Sequence, residues 1–345
     1  MCPSSRLQTA VAQQLLQSFN NHLPMFDEQE QMCLTGDKKG IDDLFASVSS
    51  YARSDRFMEL LRFTAHFKSY APYNGMLIHI QCPSARYVLP ARHWRRYHRI
   101  VEQDKRPIVI LQPFAPVAYV FDVKDTIVEQ GKQDLFPPEL AKPYDGDPDK
   151  TVTESLYARL IRRLKFWGIY FGTMVAGENY SGKIQTAVDR VPDLEFSEKS
   201  ECPAKWRPLY LISANTNSTQ TVQFCAILHE LGHLFCRHIP SAYDKEWDVR
   251  SLSHEGEEFE AETVSWLVAR RLGIDNPSYR YLAGYFMKHG SIPKDVSIDE
   301  ILKATKLVEQ VLYEMNPKEC WLYKKCAHFK SVCDDLRAQN KVARQ

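Results

Sequence analysis

The sequence predicts an α+β fold in two parts, an N-terminal α+β domain and a mainly helical C-terminal domain with a small sheet. Two β-branched and aromatic segments in the first half, IVILQP (108–113) and VAYVFDV (117–123), are typical of neighbouring strands. In the second half, apolar residues recur every three or four positions, which is typical of amphipathic helices. A proline-rich, acidic segment, DLFPPELAKPYDGDPDK (134–150), separates the two patterns. The 345 residues are enough for two cores.

The N-terminal half contains an extension, a domain and a linker. Residues 1–40 are polar and Gln-rich, and residues 41–135 are expected to form the first domain. A helix is predicted from about 42 to 70, because apolar residues follow one another at threes and fours, and Pro72 then breaks or restarts it. The short apolar run NGMLIHIQCP comes next. The linker is placed at residues 136–152.

The C-terminal half is predicted as a domain over residues 153–290 and a helical extension over residues 291–345. The segment LYARLIRRLKFWGI has the spacing of an amphipathic helix, and LYLISANTNSTQ indicates a short strand with a polar turn. Ser218 or Thr219 is a suitable N-cap for a helix that contains ILHELGHLFC. A second helix is expected over HEGEEFEAETVSWLVARRLGI, with Gly273 ending it.

Overall charge and hydropathy bound the class of protein. The formal net charge is +1, so nucleic-acid binding would require a local basic patch. No apolar stretch approaches the roughly 18 residues of a membrane span, and no signal peptide is evident, so we expect a cytoplasmic protein with no membrane partner. The nine cysteines are then expected to be reduced. Packing is the simpler interpretation, and a zinc site the alternative, for the C-terminal group Cys320, Cys326, His328 and Cys333.

The segment HELGH is the pattern H-E-x-x-H, which predicts a zinc site. His229 and His233 lie four positions apart, so a helix places both imidazoles on one face, where they can bind one metal ion. Glu230 is then the expected general base. A chance match with two core histidines is the alternative. The surrounding residues are apolar, and buried polar side chains without partners would be costly.

A third ligand is expected from the acidic helix downstream. The metzincin pattern is excluded, because Cys236 and Ile239 occupy the positions of its glycine and third histidine. Glu258 is predicted as the third zinc ligand and Glu262 as a hydrogen-bond partner of a ligand imidazole, with Ala261 and Ser265 allowing close helix packing. Glu257 and Glu262 are the rival ligands, and some of these acids are simply solvated. The candidate donors to an oxyanion are Tyr279, Tyr281, Tyr285 and His254.

A basic and aromatic segment, RYVLPARHWRRYHRIVEQDKR (86–106), is the candidate surface for nucleic acid. It has seven Arg or Lys side chains against two acids, with aromatic residues between them. Cations bind phosphates and aromatic faces stack on unpaired bases, so single-stranded DNA is the expected partner, with double-stranded DNA as a second option. A basic solvated helix with Trp94 and Tyr97 in the core is the alternative. The predicted DNA-binding residues are Arg86, Arg92, Trp94, Arg95, Arg96, Tyr97, Arg99, Lys105 and Arg106.

Both halves resemble the ArdC-like antirestriction proteins. The first match is FKSYAPYNGMLIHIQCPSARYVLPARHW with RIVEQDKRPIVILQPFAPVAYVFDVKDT, and the second is LHELGH with EEFEAETVSWLVARRLGIDNPSYRYLAGYF. The resemblance implies an N-terminal domain that binds single-stranded DNA and a C-terminal zincin-like metallopeptidase domain of the gluzincin type. The order E-x-x-A-E over 258–262 is also similar to the ImmA and IrrE metallopeptidases, which supports Glu258. The family has glycine where this chain has His98 and Asp104, so a changed loop shape is expected.

Two functional hypotheses follow. The first is a zinc-dependent metallopeptidase, with an unknown protein substrate, that a DNA-binding domain brings to its site of action, in antirestriction or in protection of incoming DNA. The second is a non-proteolytic DNA-binding antirestriction protein whose zinc site is structural. Glu230 favours the first, because a structural site needs no general base. The family's antirestriction role favours the second. A cytosolic metallopeptidase whose N-terminal half does not bind DNA is a further alternative.

Overall fold

The protein divides into two compact units, residues 1–146 and residues 147–345, each with helices and strands. The fold class is therefore α+β. This computed structural model describes residues 54–112, 115–141, 151–177, 181–187, 191–195, 205–240 and 249–313. The predicted extension over 1–40, the first part of the predicted helix over 42–70, and the C-terminal cysteine group lie outside the described residues. No helix in the described ranges is both long and apolar enough to span a membrane.

The first unit combines helices with small antiparallel sheets. The predicted strands at 108–113 and 117–123 are confirmed as an antiparallel pair, with Ile108 opposite Val120. The elements, in chain order, are α1 Ser54–His66, α2 Pro72–Gln81, β1 Val88–Leu89, α3 Ala91–Trp94, β2 Arg99–Val101, β3 Ile108–Gln112, β4 Ala115–Asp122 and β5 Thr126–Val128.

Side-chain amides attach α2 to β3. Asn74 donates to the carbonyl of Leu111 and accepts from its N–H, both at 2.9 Å. Gln81 makes the same pair of bonds with Val109, at 2.7 and 2.9 Å. The hydroxyl of Tyr70 donates to Val88 at 2.9 Å. These three residues belong to the motif that carries the family resemblance, and their contacts in this structure are with the protein backbone.

The second unit contains a three-stranded sheet and the helices of the candidate zinc site. Strand β10 lies in the middle, parallel to β6 and antiparallel to β7. The elements are α4 Glu154–Leu164, β6 Ile169–Met174, β7 Gly182–Thr186, β8 Leu194–Glu195, β9 Lys205–Trp206, β10 Tyr210–Asn215, α5 Gln220–Phe235, α6 His254–Leu272, α7 Ser278–His289 and α8 Ile298–Tyr313.

Two helices end earlier than the apolar spacing predicts. Helix α1 ends at His66 rather than near residue 70, and Pro72 begins α2, where its missing N–H costs no helical hydrogen bond. The predicted helix over LYARLIRRLKFWGI ends at Leu164. A single 3-10 turn follows, and Gly168 then turns the chain into β6 with φ at +71°. Glycine adopts that left-handed conformation at little cost, so it overrides the helical pattern.

Candidate metal centre

The two histidines lie on α5, whose start and end are well defined. The hydroxyl of Thr219 accepts from the N–H of Val222 at 3.4 Å, so Thr219 rather than Ser218 is the N-cap. Most other side chains of α5 are buried. One helical turn separates His229 from His233, and their Nε2 atoms are 3.0 Å apart. Both imidazoles therefore lie on one face of α5, as expected.

Helix α6 approaches α5 closely because small residues lie at the crossing. A Cβ atom on Gly232 would lie 2.9 Å from the Cα of Ala261, closer than real Cβ atoms come to backbone. The hydroxyl of Ser265 donates to the carbonyl of Cys225 at 3.0 Å. Gly273 ends α6 with φ at +78°, as predicted. The predicted close packing at Ala261 and Ser265 is confirmed.

Close packing brings Glu258 to the two imidazoles. Its Oε1 is 3.4 Å from Nε2 of His233, and its Oε2 is 3.5 Å from Nε2 of His229. A tetrahedral zinc ion with bonds of roughly 2.0–2.1 Å separates its ligand atoms by roughly 3.3 Å. The three residues thus form a group that could hold a metal ion. In the described residues, the rival Glu257 is not part of this group.

The imidazoles and carboxylates of this group shift each other's pKa. Burial lowers the pKa of His229, but its contacts with Glu258 and Glu262 outweigh burial and raise it to about 10. Close contacts with the imidazoles of His229 and His233 hold the pKa of Glu258 well below its usual range. The group therefore holds a proton that a metal ion would displace, since a ligand imidazole must be neutral at the bound nitrogen.

Glu230 is buried beside the sheet, and its side chain is separate from the three ligands. Only 8% of the residue is exposed, and burial raises the pKa of its carboxyl group, against the opposing effect of His229 and His233. The carboxylate faces β7, where it accepts a backbone hydrogen bond from Ile184. A Cβ atom on Gly182 would lie 3.5 Å from Oε1 of Glu230. A raised carboxyl pKa brings a general base closer to neutral pH.

Glu262 lies behind His229, on the side away from Glu258. Its Oε1 is 3.6 Å from Nδ1 of His229, which is longer than a hydrogen bond. That nitrogen is buried and has no hydrogen-bond partner in the described part of the chain. Glu262 therefore lies close to the ring nitrogen of His229 with which its predicted hydrogen bond would form.

A buried group beyond His233 was missed by the sequence analysis. Nδ1 of His233 is 3.0 Å from Nδ1 of His238, whose Nε2 is 3.0 Å from Oε2 of Glu260. Arg250 makes two hydrogen bonds to Glu260. Cys236 joins His238 and Glu260 in a second group with metal-ligand spacing. His238 is five residues after His233, a spacing that no helix places on one face, so the helical pattern carried no signal for it.

Among the oxyanion candidates, Tyr281 has the strongest electrostatic link to the ligand group. Tyr281 is 38% exposed, and the burial of the rest of its side chain raises its pKa to about 12, with Glu258 and Glu262 adding to the effect, so the phenol stays protonated and able to donate. Nδ1 of His254 is 3.9 Å from Oε1 of Glu258, and that side chain is exposed. Tyr285 stacks on His289, with ring centroids 4.5 Å apart. Tyr279 is exposed.

The basic segment of the first unit has a different organisation. Instead of one solvated helix, it forms β1, α3, a 3-10 turn and β2. Trp94 is 0% exposed, and its indole N–H lies 3.2 Å from the carbonyls of both Leu89 and Phe121. Predicting Trp94 as a DNA-stacking residue is therefore wrong, because its ring faces are enclosed in the core. Tyr97 is partly buried and packs edge-on against Phe136.

The predicted cations fall into two sets. Arg99 is partly buried and bound to Asp134 and Thr126, and Lys105 is paired with Glu102 and Asp125. These two side chains have structural partners within the protein. The remaining cations are exposed: Arg86, Arg92, Arg95, Arg96 and Arg106.

Two residues at positions where the resembled family has glycine have positive φ angles. His98 has φ at +56° and Asp104 has φ at +64°. Both residues adopt the left-handed conformation that glycine favours.

No family model, curated protein or solved structure matches the chain.

Proposed function

We propose that the protein is a zinc-dependent metallopeptidase of the gluzincin type. The observation that carries this proposal is the convergence of two imidazoles from α5 and a carboxylate from α6, beside a second, buried carboxylate. The two Nε2 atoms are 3.0 Å apart, and the two oxygens of Glu258 lie 3.4 and 3.5 Å from them. His229, His233 and Glu258 would hold the ion. Bound zinc polarises a carbonyl group and lowers the pKa of water.

The protein side chains would then manage protons and charge. Glu230, with its raised carboxyl pKa, would accept a proton from the attacking water and pass it to the leaving amine. Tyr281 is protonated and would donate to the oxygen on which negative charge develops. Glu262 would hold the ring of His229 from behind.

Strand β7 indicates how a peptide would reach Glu230. In the described residues, β7 is an edge strand that pairs only with β10. An extended peptide can add to such an edge through backbone hydrogen bonds. Gly182 and Ile184 of β7 lie against Glu230, so a peptide on this edge would pass close to the carboxylate. We therefore infer an unfolded or extended protein segment as substrate.

The first unit is proposed to bind single-stranded DNA, with double-stranded DNA as the second option. Support comes from the exposed arginines of α3 and the turn after it, Arg92, Arg95 and Arg96. The left-handed His98 and Asp104 also support the resemblance to the ArdC-like proteins, because they occupy that family's glycine positions. In this role the protein would act in antirestriction or in protection of incoming DNA.

A non-proteolytic antirestriction protein with a structural zinc site is the second candidate. A structural zinc site usually has four protein ligands, whereas a catalytic site keeps a position open. In the described residues, α5 and α6 supply three candidate ligands, and Glu230 is an additional carboxylate beside them. This difference favours the peptidase.

A protease assay separates the two candidates. Cleavage of fluorescently labelled, denatured casein would be measured for the wild type and Glu230→Gln, with and without an oligothymidine strand. We expect wild-type cleavage to fall by roughly 100- to 10,000-fold in the variant, because the general base is lost, while zinc content stays the same. Zinc-loaded wild type that cleaves nothing under either condition would favour the second candidate. Cleavage that is unaffected by DNA would argue against DNA-directed delivery.

A further inference from the structure

Behind the ligand face, His233 contacts a second imidazole. Its Nε2 faces His229 and Glu258, whereas its Nδ1 is 3.0 Å from Nδ1 of His238. The other nitrogen of His238, Nε2, is 3.0 Å from Oε2 of Glu260. The side chains of His238 and Glu260 are 1% and 0% exposed, so water does not compete for these contacts. The three side chains form a buried relay, His233–His238–Glu260.

Glu260 is a fixed acceptor at the end of this relay. Arg250 donates to both of its oxygens, at 2.6 and 3.0 Å, and the backbone N–H of Ser297 donates to Oε1 at 2.7 Å. Together with the contact from His238, these bonds occupy the roughly four lone-pair positions of a carboxylate. A metal ion would have to displace the guanidinium of Arg250. For this reason the spacing of Cys236, His238 and Glu260 does not indicate a second metal site.

The carboxylate of Glu260 determines which ring nitrogens of His238 and His233 carry protons. An ionised carboxylate only accepts, so Nε2 of His238 must donate to Glu260. If His238 is neutral, its Nδ1 is then a lone pair, and Nδ1 of His233 must supply the proton between the two rings. That arrangement leaves the lone pair of His233 on Nε2, directed at Glu258 and His229. The reverse arrangement would put a proton on Nε2 of His233 and block its use as a metal ligand.

We propose that His238 is a positioning residue that, with Glu260, selects the Nδ1–H tautomer of His233 and so prepares Nε2 to bind zinc. This inference rests on the zinc site proposed above. A protein group that orients a metal-bound imidazole typically changes metal affinity by roughly 10- to 100-fold when it is removed.

A turn at the end of α5 brings His238 to His233. Arg237 has φ at +64°, the N–H of Arg237 bonds to Leu234, and the N–H of His238 bonds to His233, at 3.1 and 3.0 Å. These two bonds form the Schellman motif that ends many helices. Most such turns have glycine at the left-handed position, whereas this chain has arginine, whose guanidinium is 3.2 Å from Glu300. The turn reverses the chain and returns the ring of His238 to the helix.

Zinc affinity measured with a chromophoric chelator tests this role. In His238→Leu, Nδ1 of His233 loses its acceptor, and we expect zinc binding to weaken roughly 10- to 100-fold. The side-chain oxygen of His238→Asn can reach about the same position as Nδ1 of histidine, so this variant should recover part of the affinity. Cys236→Ala removes a buried thiol beside Glu260 and tests whether a second metal ion binds there. Its number of bound zinc ions should equal that of the wild type.

Imidazole NMR gives a readout that a general loss of packing would not mimic. In metal-free wild type, where zinc does not impose the tautomer, we expect the proton of His233 on Nδ1 and a proton of His238 on Nε2. Thermal unfolding in a chelator shows whether each variant folds.

The outcomes separate this role from the zinc site itself. A wild type that binds no zinc would contradict the site. A wild type that binds zinc, together with a folded His238→Leu of equal affinity, would overturn only the positioning role, as would a proton on Nε2 of His233. Loss of a zinc ion in Cys236→Ala would indicate a second metal site instead.

Discussion

The candidate zinc site and the basic segment both stand out in the sequence, but the structure organises them differently. At the zinc site, side chains from α5 and α6 converge until their ligand atoms lie 3.0 to 3.5 Å apart. In the basic segment, Trp94 is enclosed in the core, Arg99 and Lys105 have acidic partners, and other arginines point to solvent. Helix packing thus brings the candidate ligands together, whereas part of the basic segment is used for core packing and ion pairs.

Residue spacing best predicts which side chains meet where a single helix fixes that spacing. On a helix, positions four apart share a face wherever the helix lies, so His229 and His233 had to meet. The basic segment consists of short strands and turns, in which the orientation of each side chain depends on its tertiary neighbours. The predictions below test this contrast, from the largest expected effect to the smallest.

Replacing Trp94 should destabilise the protein rather than remove a stacking surface. The side chain is fully buried and its N–H faces two carbonyls, so Trp94→Ala should lower the free energy of unfolding by about 3–5 kcal/mol, as measured in urea. Arg92→Ala, two residues earlier and exposed, should change it by less than about 0.5 kcal/mol. A Trp94→Ala protein that is as stable as the wild type but no longer binds DNA would contradict the burial of this ring.

Adding one methyl group at the helix crossing should also cost stability. Gly232→Ala would push against the backbone of Ala261, and we expect a loss of roughly 1–3 kcal/mol together with weaker zinc binding. Gly284→Ala on α7 is the matched control. Nothing lies within 4 Å of its added Cβ, so this change should stabilise by about 0.5–1 kcal/mol. Equal stability for the two variants would argue against the close approach of α5 and α6.

The exposed arginines should act on DNA affinity and not on folding. Replacing Arg92, Arg95 and Arg96 together with alanine should make the log–log dependence of single-stranded DNA affinity on salt shallower by about 2, because roughly 0.7 counterions are released per phosphate contact. Arg99→Ala should mainly lower stability, because Arg99 is bound to Asp134. Fluorescence anisotropy and urea unfolding measure the two effects. An unchanged salt slope in the triple variant would exclude this surface.

The smallest effect concerns the left-handed residues at the family's glycine positions. Asp104→Gly should stabilise the protein by roughly 0.5–1 kcal/mol, because glycine adopts φ of +64° without a clash of its Cβ. Gln103→Gly should destabilise by a similar amount, because Gln103 is not among the positive-φ residues. Urea unfolding of both variants would reveal the difference. Stabilisation by both would mean that backbone conformation is not the cause.

Much of the candidate metal site could be predicted from sequence, and the parts that could not be predicted depend on non-helical geometry. The position of Glu258 followed from the acidic helix and the small residues beside it. His238 was missed because the turn at Arg237, not helical spacing, brings it to His233. The end of α4 at Leu164 was missed because apolar spacing continues into β6, and only the conformation of Gly168 separates the two elements.

The most direct test of the zinc assignment is the metal content of the purified full chain, measured by mass spectrometry for the wild type and His229→Ala/His233→Ala. The three converging ligands predict that the double variant contains one zinc ion per chain fewer than the wild type, while Glu230→Gln retains the full amount. A double variant with the same zinc content as the wild type would contradict the site.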